Sequence, residues 1–404
     1  MNGNRAIRLM AGAAVAAAAI LAGCGGGGAD TGSGTLKVYL TDAPACGGYD
    51  AVYVTVSKVR VHSSATAAET QGGWSDIDIV PPKRVDLVTL ANGVLLELGQ
   101  TALPAGKYQQ IRLVLGDNAT TPFANAVMPT GGAQAELDTP SAQRSGIKLQ
   151  ANVDVPAGQI VDVVLDFDAC RSVVTRGNSG RFNLKPVIAV VPMISVGAIS
   201  GYAVTDAPAA DVKVSAQSGG VVVKETVVAS GAKFNLAPIA AGNYDVVFTA
   251  AGHVTRVVAA VPAFTAGDTV MSTSLAPIAL PVSATGTVGG AVTPAEALAS
   301  VRALQAIGTT AIVEVASVNA DGLTGAYAFT LPTAAIELAS PVWPAPPITA
   351  PPAYAFTAVA GTAGLYTLGA AATGYVTTTP AAPGTHAVTV PDPVARDFTL
   401  SPAP

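Results

Sequence analysis

The chain of 404 residues is poor in charge, aromatic rings, cysteine and histidine, and each shortage narrows what it can do. Lys, Arg, Asp and Glu make up 12% of it with no basic run or patch, so it has no electrostatic footprint for nucleic acid. Aromatic residues are 5%, and Trp74 and Trp343 are the only indoles, which leaves few flat rings for stacking on sugars. The three histidines, His62, His253 and His386, are far apart in sequence without metal spacing, and each reads as a surface or turn residue. No G-x-S-x-G elbow sits in a strand–turn–helix setting, and Gly25–Gly28 lacks the Gly-Lys-Ser/Thr continuation of a phosphate loop. No catalytic site and no cofactor are therefore expected. After Leu21 no apolar run is long and unbroken enough to cross a bilayer.

What is present begins at the N-terminus. Arg5 and Arg8 precede an apolar, alanine-rich stretch from Leu9 to Leu21, which ends in Leu21-Ala22-Gly23-Cys24. The stretch is shorter than the roughly 20 residues of a transmembrane helix and reads as a signal segment. The four residues at its end resemble a bacterial lipobox, which implies cleavage before Cys24 and a lipid on its sulfur. Residues 1–23 are then a lipoprotein signal peptide and 24–34 a glycine-rich tether. Gly25 stands where an inner-membrane retention signal carries Asp, so the expected location is the outer membrane, lipid-anchored and facing the periplasm or cell surface. Loss of Arg5 and Arg8 takes the formal charge from −5 to −7. Lipidation also resolves the cysteine count. Cys46 and Cys170 remain as a candidate disulfide closing a long loop, worth on the order of 4–5 kcal/mol in the chain-entropy model. Two buried free thiols are the competing reading, and redox chemistry is disfavoured because neither cysteine is in a C-x-x-C motif.

The remainder is a succession of short alternating runs rich in Val, separated by Gly and Pro. Leu36, Val38 and Leu40 alternate, as do Val52, Val54 and Val56; Val59 and Val61 resume one residue out of step, as a bulge allows. Further period-two stretches lie at Trp74–Ile79, Val94–Leu98, Ile111–Leu115, Ile147–Leu149 and Ile160–Phe167. Turn clusters stand between them, Pro81-Pro82 and Pro104-Ala105-Gly106 among them. No long window has the period of an amphipathic helix. The fold class predicted is all-β: tandem antiparallel β-sandwiches, Ig-like or transthyretin-like, with three domains at 35–194, 195–281 and 282–404.

Leu40-Thr41-Asp42-Ala43-Pro44, Val54-Thr55-Val56-Ser57-Lys58-Val59, Leu165-Asp166-Phe167-Asp168-Ala169 and Asn183-Leu184-Lys185-Pro186-Val187 resemble domain-of-unknown-function family 4382 over roughly residues 35–192. The resemblance implies an extracytoplasmic β-domain and carries no functional residues. From Val196 two imperfect repeats follow. The first runs through Ile199-Ser200-Gly201, Gly231-Ala232-Lys233-Phe234 and Gly242-Asn243-Tyr244. The second runs through Gly286-Thr287-Val288-Gly289, Gly325-Ala326-Tyr327-Ala328-Phe329 and Gly364-Leu365-Tyr366. Their pattern resembles the carboxypeptidase regulatory-like domain, a transthyretin-like sandwich often classed with the carbohydrate-binding-like fold. Between Leu331 and Thr362 the second copy carries a Pro-rich insertion, expected as an extended loop with Trp343 exposed. Gly106-Lys107-Tyr108 repeats the Gly-x-Tyr form in the first domain.

Asp42, Asp166 and Asp168 are weak candidates for a calcium site, on the expectation that Asp166 and Asp168, two apart on one strand, share a face. The alternative is a turn role for Asp42, with the other two solvated or paired to Lys185 or Arg171. Asn319-Ala320-Asp321-Gly322 reads as a hairpin turn. The leading functional expectation is a non-catalytic structural or interaction module of the cell envelope, held to the membrane by lipid on Cys24, with an envelope protein or glycan as partner. Carbohydrate binding and a periplasmic hydrolase built on Asp166 and Asp168 are the alternatives.

Overall fold

The computed structural model describes residues 32–404 except 43–47, 120–121, 140–141, 144, 207–211, 266, 310, 347, 349 and 377–386. The signal segment, Cys24, Cys46 and His386 lie outside the described residues. The fold is nearly all β, in separate sheets that pair into successive sandwiches. No helix among the described residues is long and apolar enough to cross a membrane.

The first sandwich contains β1 (Ser33–Asp42), β2 (Tyr49–His62), β3 (Ser75–Asp86), β4 (Leu96–Pro104), β5 (Gly106–Leu115) and β6 (Ala126–Pro129). It continues with β7 (Ala135–Asp138), β8 (Ile147–Val155), β9 (Ile160–Phe167), the single-turn helix α1 (Ala169–Ser172), β10 (Val173–Thr175), β11 (Phe182–Leu184) and β12 (Ile188–Pro192). One sheet has the order β12-β9-β1-β4; the other runs β10-β11-β7-β6-β2-β5-β8 with β3 paired to β2. Leu36, Val38 and Leu40 of β1 pack with Val52, Val54, Val56, Val59 and Val61 of β2 in one core. The register of β2 slips between Val56 and Lys58 against both β3 and β5, where the alternation changes phase. Pro81-Pro82, read as a turn, instead lies within β3. The strand pairs only with β2, and the prolines fall opposite the bulge, between the pairs Asp78↔Lys58 and Lys83↔Val56. An interrupted edge ladder is where a residue without an N–H is tolerated.

The second sandwich is built from β13 (Val196–Val204), β14 (Lys213–Ser218), β15 (Val221–Val227), β16 (Lys233–Ala240), β17 (Gly242–Thr249), β18 (Arg256–Ala263), β19 (Asp268–Val270) and β20 (Ile278–Ala279). The third is built from β21 (Thr285–Thr293), β22 (Ser300–Ala306), β23 (Ile312–Asn319), β24 (Ala326–Pro332), β25 (Glu337–Ala339), β26 (Thr357–Ala358), β27 (Leu365–Ala371), β28 (Ala387–Thr389) and β29 (Phe398–Thr399). Their wiring is the same. In one, β13 pairs antiparallel with β16 and, at its end, parallel with β20; in the other, β21 pairs antiparallel with β24 and, at its end, parallel with β29. In the facing sheets β15-β14-β17-β18 corresponds to β23-β22-β27-β28. The repeat seen in the sequence is thus a repeat of topology.

The Gly-x-Tyr motif has one structural job in all three sandwiches. Tyr108, Tyr244 and Tyr366 donate their hydroxyls to the carbonyls of Pro104, Ala240 and Pro332, each the last residue of a strand of the facing sheet, at 2.9, 2.9 and 2.7 Å. The ring covers the sandwich edge while the hydroxyl satisfies a backbone acceptor.

The Pro-rich insertion is more than a loop. Its flanks form β25 and β26, and β25 pairs parallel with β18, so the sheet of the second sandwich extends to β15-β14-β17-β18-β25-β26. Trp343, Tyr354 and Phe356 pack on the core of the second sandwich, and the Tyr354 hydroxyl donates to Met271 O at 2.7 Å. Trp343 is therefore half-buried, because the insertion is held down at both ends by strand pairing. The third sandwich straps the second.

Gly231 and Gly325 turn the chain into the equivalent strands β16 and β24 at φ +87° and +71°. A Cβ on Gly231 would meet open space, whereas one on Gly325 would collide with the Val292 carbonyl. Gly231→Ala should cost about 1 kcal/mol, from the left-handed backbone alone. Gly325→Ala should cost more, about 2–4 kcal/mol, because backbone must also move. Urea unfolding of the two variants checks this; equal costs would contradict it.

Candidate functional site at the domain junction

The parallel pair β1 and β9 places Asp42 opposite Phe167, so both strands end at one level, where α1 begins. Asp42 Oδ1 accepts from Ala169 N at 2.9 Å, and Asp168 caps the helix by accepting from Arg171 N at 2.9 Å. The acids of the Thr-Asp-Ala-Pro and Asp-Phe-Asp motifs thus converge on one helical turn. Their roles diverge there. β9 ends at Phe167, so Asp168 leaves the strand and does not share its face with Asp166. Asp166 instead pairs with Lys224 of β15 at 2.7 Å, both side chains being buried. Asp168 pairs with Arg171 at 3.3 Å. Two of the three calcium candidates are thus matched to protein cations, and among the described residues no three metal-ligating side chains gather.

Burial pushes the Asp42 carboxyl well above the usual carboxylate range, and the charges of Asp168 and Asp166 add to the shift. Its Oδ2 is buried without a hydrogen-bond partner. Burial also pushes Asp168 up to about 6, against the opposing pull of Arg171. Lys185, from the Asn-Leu-Lys-Pro motif, is lowered to about 8 by burial and by the charge of Arg171. It does not pair with the acids. Its ammonium donates to Leu298 O, Ser300 Oγ and Asn319 Oδ1 of the third sandwich at 3.1, 2.5 and 2.9 Å.

Arg171 is where the three sandwiches meet. Its guanidinium hydrogen-bonds Glu314 of β23 and lies 3.9 Å from Glu225 of β15. Glu314 also takes Arg302 of β22, which in turn donates to Gly220 O. Gln217 of β14 exchanges two hydrogen bonds with the Glu314 backbone, at 2.7 and 2.8 Å. Asn319 donates to Arg171 O and Val173 O, and Asp321 accepts from Gly177 N at 2.5 Å. The Asn319–Gly322 segment, expected as a hairpin turn, instead begins the connection from β23 to β24, strands of different sheets that do not pair, and its side chains reach the first sandwich. Burial works against the Asp321 carboxylate, but N–H groups of Thr324, Gly177 and Leu323 hold it down to about 2. Cys170 on α1 is disulfide-bonded.

A cavity of about 330 Å³ lies in this junction, lined by α1, the β14–β15 face and β23. Arg171, Lys213, Glu225, Thr255 and Ser317 border it, and the Thr255 hydroxyl is buried with no partner. Lys224, Arg302 and Glu314 were not singled out by the sequence reading. Their signal was charge set inside apolar strands, the adjacent Lys224-Glu225 after Val221-Val222-Val223 and the single Glu314 in Ile312-Val313-Glu314-Val315.

The other candidates stand apart. His62 bonds Gly72 O at 3.0 Å and accepts from Ser64 N, and His253 bonds Asp206 and Ala251 O. Trp74 lies between Arg60 and Arg112, 4.9 and 5.1 Å from its ring, and donates to Ala68 O.

Two predictions follow from the ion pairs. Lys224→Met leaves Asp166 buried and unpaired and should cost about 3–5 kcal/mol, most of it recovered in Lys224→Met/Asp166→Leu; a double variant no better than the single would refute this. Asp168 has a raised pKa in the folded chain, so its contribution is complete near pH 4 and is lost as pH rises to about 6. The stability of the native chain minus that of Asp168→Asn should therefore fall between pH 4 and 6 and flatten above, by up to about 3 kcal/mol. Urea midpoints across that range measure it, and a flat difference would rule it out.

A search among curated proteins gave no match. Among solved structures, a type II cohesin–X-dockerin complex from Acetivibrio cellulolyticus is similar at 27% identity over 22% of this chain and 58% of that chain, with a TM-score of 0.18. This chain therefore spans little more than half the length of that structure's. The Bacillus anthracis TIE protein is 12% identical over 90% of this chain and 57% of that chain, with a TM-score of 0.17. A streptococcal ancillary pilin is 10% identical over 92% and 99%, with a TM-score of 0.19. The first sandwich is the part that a family describes: residues 33–186 match the family Domain of unknown function (DUF4382).

Proposed function

We propose that this protein is a non-catalytic, lipid-anchored module of the cell envelope that serves as a braced structural or interaction element. The observation that carries the reading is the junction, where charged side chains of three sandwiches close on one another and the third sandwich lends strands to the second. Interfaces between domains of one chain are usually polar and permit motion unless extensive. Here a strand strap and buried ion pairs both oppose motion, which suits a part that must hold its shape. The hydrolase alternative loses support because Asp166 and Asp168, on which it was built, are engaged by Lys224 and Arg171. In this reading the two C-terminal sandwiches are carboxypeptidase regulatory-like repeats, with Cys46 as partner of Cys170.

The lipobox sequence supports attachment through Cys24 to the outer membrane, with an envelope protein or glycan as partner. In a Gram-negative host, palmitate labelling should mark the chain and Cys24→Ala should abolish the label. The variant should also move from the membrane to the soluble fraction, with its unfolding midpoint unchanged. A variant that keeps label and membrane association would overturn the anchoring.

A further inference from the structure

We propose that the junction cavity binds a small zwitterion, of the kind presented by an amino acid or a short peptide with free ends. The charges around it select that class. Arg171 is committed to Glu314 and Asp168, and Arg302 to Glu314. That leaves Lys213 and Glu225, one of each sign. The Lys213 ammonium lies 3.8 Å from one Glu225 oxygen, and Arg171 lies 3.9 Å from the other, both beyond hydrogen-bond distance. A half-buried carboxylate whose two cations stand beyond hydrogen-bond distance keeps acceptor positions open to a donor that enters from the cavity.

A ligand with a carboxylate for Lys213 and an ammonium for Glu225 would convert two loose pairs into charge-assisted hydrogen bonds without adding net charge to the site. An anion or a cation alone would leave one of the two residues unmatched. The unpartnered Thr255 hydroxyl, in a residue 2% exposed, supplies a further polar contact. About 330 Å³ falls at the lower end of small-molecule sites and limits the ligand to a few residues at most. Among the described residues no aromatic side chain lines the cavity, so they offer no stacking platform of the kind sugars use. The way in is at Lys213, whose side chain is 44% exposed.

The test is calorimetric titration of the purified full chain with glycylglycine. It is set beside N-acetylglycine, which lacks the ammonium, glycinamide, which lacks the carboxylate, and glycerol, which has no charge. Glycylglycine is expected to bind saturably at one site, at least tenfold more tightly than each of the other three. Lys213→Met should lose tenfold or more of that affinity while retaining the wild-type unfolding midpoint, since the Lys213 side chain is partly exposed and makes no contact closer than the 3.8 Å pair with Glu225. Glu225→Gln should lose as much. Absence of saturable glycylglycine binding would overturn the proposal. Equal binding of any single-charge probe or of glycerol, or wild-type affinity in folded Lys213→Met, would do so as well.

Discussion

Glu314 brings a buried carboxylate into the junction, and Arg171 and Arg302 close on it from two sides. The arrangement of the sandwiches depends on that meeting. Arg171 belongs to the first sandwich, Glu314 and Arg302 to the third, and Arg302 reaches on to a backbone carbonyl of the second. Buried ion pairs of this kind add little net stability compared with apolar packing, since the desolvation of each charge offsets most of the attraction. What they supply is a penalty for every other arrangement. A docking that slipped by one strand position would leave Glu314 with Arg302 alone and Arg171 without its carboxylate.

The same logic explains why α1 matters although it is one turn long. It is held by Asp42 from the end of β1, by its own cap Asp168 and by the disulfide at Cys170. Arg171 is therefore presented at a fixed point rather than on a mobile loop. The family match ends at residue 186, just beyond Lys185, which reaches the third sandwich. Motifs of the first domain thus contribute both its internal turn and its outward contacts.

Strand identity was legible because burial on one face imposes period two, and even the phase change in β2 showed in the positions of Val56 and Val59. The Gly-x-Tyr stations were legible for a related reason: a turn, an edge-covering ring and a backbone acceptor recur wherever the sandwich is built. The partners of the charged groups were not. Lys224 lies 58 positions from Asp166, and Arg171 lies 143 from Glu314, separations at which no local pattern connects them. The reading of Asp166 and Asp168 as one face failed by a single residue, because it required β9 to run past Phe167. Trp343 was misjudged for the opposite reason. Its proline-rich surroundings are indeed irregular, but the short strands on either side, too brief to show a period, pin them to another domain.

Composition and architecture then meet in one argument. A chain with 12% charged residues has few to place, and a Val-rich sandwich surface without them would invite edge-to-edge pairing. Here Asp166, Arg171, Lys185, Lys224, Glu225, Arg302 and Glu314 all lie at contacts between sandwiches. Each sandwich therefore carries, before docking, a polar face that resists indiscriminate association and that finds its complement only on its neighbours. Once docked, the charges that match completely disappear into ion pairs, and those that match incompletely define the cavity. Rigidity and a polar cavity are in this sense products of one constraint: sparse charges concentrated at a junction of three bodies do not all balance at contact distance.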